Sequence, residues 1–267
     1  MILALDAGNT NICIGCIDSS GVQMTARIAT DRMKTEDEYA VILGSILRIN
    51  GIDPTLLEGS IICSVVPPVN RMLMLAVEMV IGRVPLLVRP GIRTGLALKV
   101  DNPEALGSDR IVDTVAANAL FGGPEGKTVI VVDMGTMTTL SIVSKEKEFL
   151  GGVICPGIRL SQQALAKNTS QLPSIGLEAP KNAIGRSTVE CMKSGAIFGT
   201  AATIDGLIRR IRKELPDGEE ALVVMTGGMS RWIAPYCREK VLLEPDLLLK
   251  GLWILYRKNM TKGERKK

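Results

Sequence analysis

One short pattern occurs twice in this chain, and its recurrence limits the possible folds more than any other feature. In each copy an apolar stretch ends in Asp, one further residue and Gly, and a second apolar stretch follows after hydroxyl or amide residues. The aspartates are Asp6 and Asp133, so the two copies lie nearly half the chain apart. Apolar runs joined by such turn residues predict β-hairpins with polar tips. The sequence therefore predicts a duplicated domain.

Strands and helices are predicted in both halves of the chain, which indicates an α/β fold. The boundary is placed where Gly122-Gly123-Pro124 ends an Ala-rich helix, so that the predicted domains are 1–121 and 122–267. A closing helix over 247–259 is a candidate to pack back onto the first domain. The strands are predicted at 2–5, 12–17, 22–29, 60–66, 85–88, 128–132, 140–143, 149–154 and 222–225. The other helices are predicted at 36–48, 70–81, 111–121, 160–166, 185–198 and 203–214.

The chain contains no histidine, and this absence excludes several classes of catalytic site. Ser-His-Asp and Cys-His triads, HExxH zinc sites and histidine general bases all require that residue. Acid–base catalysis therefore falls to Asp, Glu, Lys, Tyr or Cys. Cys13 and Cys16 have the spacing of a metal or redox motif, but no second such pair exists. Because positions three apart in a strand face opposite sides, we interpret both cysteines as small buried side chains.

Charge and hydropathy argue against nucleic-acid and membrane partners. The net charge is only +4, and aromatic residues make up 3%. Part of the basic excess lies in the tail 261–267, which we expect to be solvated. Nucleic-acid binding usually needs a basic stripe, with aromatic residues where bases are stacked. No apolar stretch is long enough to cross a bilayer, and the N-terminus lacks the pattern of a signal peptide. We therefore expect a cytoplasmic protein with reduced thiols.

Two kinds of loop compete as the candidate for phosphate binding. The segment 122–128 resembles a Walker A loop, but it is one residue short and joins a helix to a strand, which is the wrong order. The hairpin tips fit better, since glycine lets the backbone approach a phosphate and Asn9, Thr10 and Thr136 add donors. A carboxylate such as Asp6 beside phosphates requires a divalent cation between them. Two such hairpins facing one another would hold a nucleotide in a cleft.

A series of short motifs follows the first hairpin along nearly the whole chain. They are Asp6-Ala7-Gly8-Asn9-Thr10-Asn11, Cys63-Ser64-Val65-Val66-Pro67-Pro68, Asn102-Pro103, Gly107-Ser108-Asp109-Arg110, Asp133-Met134-Gly135-Thr136, Gly151-Gly152, Pro156-Gly157, Gly185 with Thr188, Thr226-Gly227-Gly228 and Leu249-Lys250-Gly251-Leu252. In this order they resemble the type III pantothenate kinases, which belong with acetate and sugar kinases, heat-shock chaperones and actin. The resemblance implies two duplicated RNase H-like domains of the actin-like ATPase type, with a nucleotide cleft between them. It also implies ATP-dependent phosphorylation of the primary hydroxyl of pantothenate to 4'-phosphopantothenate, the first step of coenzyme A biosynthesis.

The same resemblance implies roles for individual residues. The ATP phosphates would contact Asp6, Ala7, Gly8, Asn9, Thr10, Asn11, Ile12, Cys13 and Thr136. Pantothenate would contact the position of Val100 together with Gly107, Ser108, Asp109, Arg110 and Thr188. Asp109 would accept the proton, Asp133 would bind a monovalent cation (K⁺ or NH₄⁺), and Asp6 would face Mg²⁺. Family members are homodimers, so a homodimer is expected.

The chemistry of the segment around Asp109 agrees with these roles. An alcohol proton becomes acidic only as the bond to phosphorus forms, so an ionised Asp suffices as the base. Asp109 follows Ser108 at a helix start, where the macrodipole favours an ionised carboxylate, and Arg110 suits the carboxylate of the substrate. Structural alternatives stay open: Ser108 and Asp109 could cap the helix, Thr188 could cap another, and Asp133 could serve only its hairpin.

Two positions depart from the pattern of the family and keep other functions open. Val100 stands where many members have an aromatic residue, usually Tyr, and Ser187 stands where Asn is common. A kinase for another small hydroxy acid is therefore a second hypothesis. The third hypothesis is a non-enzymatic transcriptional accessory relative of the same fold. The retained Asp-x-Gly and Gly-Ser-Asp-Arg residues argue against it, since a binding protein needs no base.

Overall fold

The computed structural model describes residues 1–260 and divides them into two compact units. The first unit joins Met1–Ala116 to the C-terminal segment that begins at Asp246, and the second unit is Ala117–Pro245. The tail 261–267, expected from its charge to be solvated, lies outside the described residues. No helix in the described part of the chain is both long and apolar enough to span a bilayer.

Within residues 1–260 the strands are β1 (Ile2–Ala7), β2 (Asn11–Asp18), β3 (Gly21–Ala29), β4 (Ser60–Ser64), β5 (Leu86–Leu87), β6 (Ala97–Leu98), β7 (Val129–Met134), β8 (Met137–Val143), β9 (Glu148–Pro156), β10 (Leu222–Thr226) and β11 (Leu242–Leu243). The α-helices are α1 (Glu36–Ile49), α2 (Pro67–Ile81), α3 (Ser108–Ala117), α4 (Gly123–Glu125), α5 (Ile158–Asn168), α6 (Thr188–Ser194), α7 (Thr200–Glu214), α8 (Ser230–Ile233) and α9 (Leu247–Asn259). Turns of π-helix follow α3 at Asn118–Gly122 and α6 at Gly195–Gly199.

The strands of the two units are arranged in the same order and directions. The first sheet has the order β3-β2-β1-β4-β5, and the strands of the second unit have the equivalent order β9-β8-β7-β10-β11. In each, three consecutive strands form an antiparallel meander, and two later strands run parallel to the first. The burial pattern along β1 also recurs along β7, with one half-buried position at Asp6 and at Asp133. Both predicted hairpins are therefore present in the structure.

The first sheet is covered by helices on both faces, which explains why β1 reads as a continuous apolar run. Leu3 and Leu5 belong to a buried cluster that also contains residues of α1 and α2. Ile2 and Ala4 point the other way and belong to a cluster with residues of α3 and α9. Since successive strand residues face opposite sides, both faces of β1 are buried, and each large aliphatic side chain contributes roughly 1.5–3 kcal/mol.

Local sequence determines where several helices begin and end. The Thr35 side chain accepts a hydrogen bond from the Glu38 N–H, and the Glu38 carboxylate accepts one from the Thr35 N–H, so the two residues form a capping box at the start of α1. The prediction that α2 begins at residue 70 is wrong. This helix begins at Pro67 because proline fits the first helical position, where an N–H has no partner inside the helix. Gly82 ends it with a left-handed φ of 73°.

The C-terminal helix α9 completes the core of the first unit. Leu252, Leu255 and Tyr256 are buried against strand residues of the first sheet. A Cβ on Gly251 would lie 2.4 Å from the carbonyl oxygen of Val112, so this glycine lets α9 pack directly on α3. Because of this packing, the segment that begins at Asp246 belongs to the first unit. The predicted second domain, 122–267, had included this segment.

Candidate active site

Asp109, the predicted base, lies in the first turn of α3. The backbone N–H of Arg110 donates a hydrogen bond of 2.8 Å to Asp109 Oδ1. Burial raises the pKa of the Asp109 carboxyl, and the N–H and the positive charge of Arg110 oppose this rise. The helix macrodipole was expected to favour the ionised carboxylate of Asp109, but burial, which favours the neutral form, has the larger effect on its pKa. A carboxylate with a raised pKa binds a proton more readily, which suits a general base.

The neighbours of Asp109 in sequence shape its surroundings. A Cβ on Gly107 would lie 2.6 Å from Asp109 Oδ1, so glycine leaves room for the carboxylate beside the backbone. Burial lowers the pKa of the Arg110 guanidinium, and the charge of Asp109 raises it. Arginine nevertheless stays charged in proteins, and its planar fork of donors matches a carboxylate. The start of α3 thus places a half-buried base beside a cation suited to an acidic substrate.

The Ser108 hydroxyl fastens the start of α3 to the end of β4. It donates a hydrogen bond of 3.0 Å to the carbonyl oxygen of Ser64. It also accepts one from the thiol of Cys63, with 3.3 Å between Sγ and Oγ. The hydroxyl therefore bridges two elements of the first unit, a role that differs from the helix cap considered as the structural alternative.

The Cys63 thiol is fully buried, and burial raises its pKa well above its usual value. The charges of Asp6, Asp109 and Asp113 raise this pKa further, and the hydrogen bond with Ser108 lowers it. The strand register places Asp6 of β1 directly opposite Cys63 of β4. Asp113 is only 3% exposed and is not among the predicted site residues. Its spacing of four residues from Asp109 puts both on one helix face and could have indicated it.

The first hairpin tip exposes polar side chains next to Asp6. Asn9, Thr10 and Asn11 are exposed, whereas Ala7 and Ile12 are buried, so only the backbone of these two can face a ligand. The Gly8 N–H is used inside the turn, where it donates to the carbonyl oxygen of Asn11 at 3.0 Å.

Two further contacts position the first tip. The Thr30 hydroxyl donates to the carbonyl oxygen of Gly8 at 2.6 Å. The Val65 N–H donates to the carbonyl oxygen of Ala7 at 3.0 Å, which joins the tip to the segment after β4. Cys13 is half-buried and lies opposite Asp6 in the antiparallel register. The tip is therefore held on both sides by the sheet of its own unit.

The second hairpin places Asp133 against the glycine-rich segment after β10. Asp133 pairs in register with Thr226, as Asp6 pairs with Cys63 in the first unit. A Cβ on Gly227 would lie 2.4 Å from Asp133 Oδ1, and Gly227 has a left-handed φ of 89°. Only glycine fits both conditions without strain.

The tip of the second hairpin is one residue shorter than the first. The Gly135 N–H donates to the carbonyl oxygen of Met137 at 2.9 Å, where the first tip uses Gly8 and Asn11. Thr136 is exposed at this tip, and its carbonyl oxygen accepts a hydrogen bond of 3.2 Å from the Gly157 N–H. The exposed Thr136 side chain agrees with a contact to a ligand.

Thr188 and Val100 occupy the positions that the family resemblance assigned to the substrate. Ser187 is the N-cap of α6, and its side chain accepts from the Glu190 N–H at 3.3 Å. Thr188 is the first helical residue and is exposed, so the alternative in which Thr188 caps the helix is wrong. Val100 is half-buried, in the segment that leads to the 3₁₀ turn Pro103–Ala105. Val100 belongs to the first unit and Thr188 to the second.

Few protein side chains are grouped to bind a cation in the part of the chain that the structure describes. Among residues 1–260 no group of three or more Cys, Asp and Glu side chains is arranged to bind a metal ion. Mg²⁺ in kinases is usually bound by one or two carboxylates together with phosphates and water. Asp6 at the end of β1 fits that mode of binding. Asp133 supplies a hard oxygen donor beside Gly227, where the missing side chain leaves space.

The comparisons with known proteins agree with one another. Residues 2–210 match the family model of type III pantothenate kinase. A protein of Exiguobacterium sibiricum named type III pantothenate kinase is 41% identical over 97% of this chain and 100% of its own length. A kinase is thereby favoured over the hypothesis of a non-enzymatic relative.

Two solved structures share the fold. One, described as a Baf family transcriptional activator from Campylobacter jejuni, has a TM-score of 0.62 and 17% identity, and covers 97% of this chain and 98% of its own. The other, an inorganic polyphosphate/ATP-glucomannokinase from Arthrobacter sp. strain KM, has a TM-score of 0.51 and 13% identity, with coverage of 96% and 98%. At these identities the likeness concerns the fold alone, and it confirms the predicted α/β fold of the actin-like ATPase type.

Proposed function

This chain belongs to the family of type III pantothenate kinases, and we propose that Asp109 is the base of the reaction. The enzyme uses ATP to phosphorylate pantothenate, the first step of coenzyme A biosynthesis. The observation that supports the role of Asp109 is its position in the first turn of α3, where burial raises the pKa of its carboxyl beside the cationic Arg110. Other small hydroxy acids can be tested as substrates in the same assay.

The proposed step transfers one phosphoryl group and one proton. The oxygen of the primary hydroxyl of pantothenate forms a bond to the γ-phosphorus of ATP. The bond from that phosphorus to the β,γ-bridging oxygen breaks, and the electron pair leaves with ADP. The hydroxyl proton passes to the carboxylate of Asp109 as the new bond forms. No histidine is needed, because the alcohol becomes acidic only in the transition state.

The ATP phosphates are assigned to the tips of both hairpins. We assign the residues Asp6, Ala7, Gly8, Asn9, Thr10, Asn11, Ile12, Cys13 and Thr136 to this role. The exposed side chains of Asn9, Thr10, Asn11 and Thr136 support the assignment, since hydroxyl and amide groups donate hydrogen bonds to phosphate oxygens. Asp6 would hold Mg²⁺, which neutralises phosphate charge when bound. A monovalent cation, K⁺ or NH₄⁺, is assigned to Asp133.

Pantothenate is assigned to the start of α3. Arg110 would bind the substrate carboxylate with its two parallel donors, and Gly107 leaves room for the carboxylate of Asp109. Ser108 and Thr188 supply hydroxyl groups, and Val100 supplies an apolar wall. We also propose that the enzyme is a cytoplasmic homodimer, and light scattering on the purified protein would measure its mass in solution.

A coupled assay tests the central assignment. Purified enzyme is supplied with ATP, Mg²⁺, K⁺ or NH₄⁺, and pantothenate, and ADP release is followed. Asp109→Asn keeps the shape of the side chain but cannot accept the proton, so kcat should fall about 10²–10⁴-fold. ATP binding, measured separately by calorimetry, should stay within about twofold, because Asp109 is assigned no contact with ATP. A variant with near-normal kcat would overturn the role of Asp109.

A further inference from the structure

The Ser108 hydroxyl belongs to a short chain of hydrogen bonds with a defined direction. The Cys63 thiol donates to Ser108 Oγ over 3.3 Å, and Ser108 Oγ donates to the carbonyl oxygen of Ser64 over 3.0 Å. A hydroxyl group has one proton and two lone pairs. The proton and one lone pair of Ser108 are therefore in use within the protein, and one lone pair is left for a ligand.

The two outer groups of this hydrogen-bond series, the Ser64 carbonyl and the Cys63 thiol, fix its direction. The carbonyl oxygen of Ser64 can only accept, so the proton on that contact must come from Ser108. At the other end Cys63 is fully buried, and its Sγ lies 3.3 Å from Ser108 Oγ. Because the Ser108 proton is directed at Ser64, Ser108 faces Cys63 with a lone pair, and the thiol is the donor on this contact. The direction of the hydrogen bonds therefore follows from the partner at each end.

We propose that Cys63 is a positioning residue for substrate binding, because its hydrogen bond fixes the position of the Ser108 hydroxyl, whose remaining lone pair accepts from a donor group of pantothenate. Ser108 then recognises the amide N–H or the secondary hydroxyl of pantothenate, while Arg110 takes the carboxylate. This inference rests on the proposed assignment of Ser108 to the pantothenate site. It adds a residue that does not touch the substrate, and it specifies which kind of group Ser108 binds.

Cysteine variants test the role of Cys63, and Cys16 provides a matched control. Cys16 is also a buried cysteine of the same sheet, in β2, and it lies in the core of the first unit. Cys63→Ala should raise the KM for pantothenate about fivefold, the usual effect of one lost hydrogen bond, and leave the KM for ATP unchanged. Cys63→Ser keeps a donor and should restore the KM for pantothenate to within about twofold of wild type. Cys16→Ala should lower Tm to a similar degree as Cys63→Ala but leave both KM values at the wild-type level.

The outcomes separate this inference from the proposed function. If Cys63→Ala and Cys16→Ala have the same KM for pantothenate, or if Cys63→Ser fails to restore it, the positioning role is wrong. Ser108→Ala is measured in parallel. A normal KM in Ser108→Ala would remove Ser108 from the substrate site, and the inference would fall with that assignment. A raised KM in Ser108→Ala beside a normal one in Cys63→Ala would overturn the inference alone.

Substrate analogues test the acceptor role without any change at Cys63. One analogue lacks the secondary hydroxyl of pantothenate, and a second carries an N-methyl group on the amide. With the wild-type enzyme, the analogue that lacks the partner of Ser108 should bind about fivefold more weakly than pantothenate. With Ser108→Ala the same analogue should bind no more weakly than pantothenate, since the contact is already lost. If neither analogue shows this coupling, Ser108 is not an acceptor for the substrate.

Discussion

At the scale of single residues, Asp109 shows how a base can be strengthened by an environment that disfavours its charge. Burial raises the pKa of the carboxyl, and the Arg110 N–H and guanidinium limit the rise. The native state therefore binds the Asp109 proton more tightly than the unfolded chain does. It follows that the ionised carboxylate, which the reaction needs, makes the folded protein less stable.

Asp109→Asn should therefore stabilise the protein at neutral pH while it removes activity. The sign follows from the raised pKa: between the ordinary Asp value of about 3.9 and the higher native value, stability falls as pH rises. A neutral Asn avoids this loss, so its Tm should exceed that of wild type at pH 7, and the difference should shrink as pH approaches 4. Thermal unfolding of both proteins across this range measures it. A lower Tm for Asp109→Asn at pH 7 would contradict the prediction.

Gly107→Ala should lower activity by displacing the base. The new Cβ would lie 2.6 Å from Asp109 Oδ1, so the carboxylate must rotate away from its native position. A displacement of about 1 Å at a catalytic group can reduce the rate about 10²-fold, so we expect kcat to fall by about 10–100-fold. Gly44→Ala in α1 is the control, because a Cβ there meets nothing within 4 Å. Equal kcat values for the two variants would show that Gly107 is not needed for space.

At the scale of elements, α6 separates a structural hydroxyl from a proposed functional one. Ser187 caps the helix through its contact with the Glu190 N–H, whereas the neighbouring Thr188 is exposed and is not the cap. The two adjacent hydroxyl residues thus carry different expectations. Substitution of one should affect stability, and substitution of the other should affect substrate binding.

Ser187→Ala should lower the free energy of unfolding by about 1 kcal/mol, the usual effect of a lost N-cap. Thr188→Ala should change it by less than about 0.5 kcal/mol, because the side chain is exposed. If Thr188 binds pantothenate as proposed, its substitution should still raise the KM for pantothenate. Urea unfolding and steady-state kinetics on both variants measure the two effects. A wild-type KM in Thr188→Ala would remove this residue from the site.

Elements were predictable from the sequence where their signals are local. The capping box at Thr35 and the two hairpins each lie within a few residues, so the pattern alone indicates them. The contact between Cys63 and Ser108 joins residues 45 apart, and no local pattern reports it. The early start of α2 was not predicted, because Pro67 and Pro68 directly follow the strand predicted at 60–66 and proline can end a strand as well as begin a helix. The roles assigned to site residues such as Asp109 came from resemblance, and they stay predictions.

At the scale of the whole molecule, the first unit is built from both ends of the chain. Its sheet is complete by Leu87, but α9, which together with α3 covers one face of this sheet, begins at Leu247. Ile2, Ala4 and Ile61 belong to the buried cluster that contains side chains of both helices. The second unit, in contrast, is one continuous segment from Ala117 to Pro245.

A chain that ends after Pro245 should fail to form a stable first unit. It lacks α9 and leaves the apolar surface of that cluster, with Ile2, Ala4 and Ile61, in water. We expect low soluble yield, or a first unit that unfolds without a cooperative transition. A chain that ends after Met260 keeps α9 and is the control. Solubility and thermal unfolding followed by circular dichroism compare them. A truncated chain as soluble and cooperative as the control would contradict the prediction.

The divided first unit also has a consequence for synthesis on the ribosome. Domains usually fold as they emerge, with the N-terminal one first. Here the N-terminal unit must wait for α9, which leaves the exit tunnel only after the continuous unit from Ala117 to Pro245. Until α9 emerges, the part of the first sheet that α9 covers stays exposed to water. It is at that stage that the nascent chain would most need a chaperone.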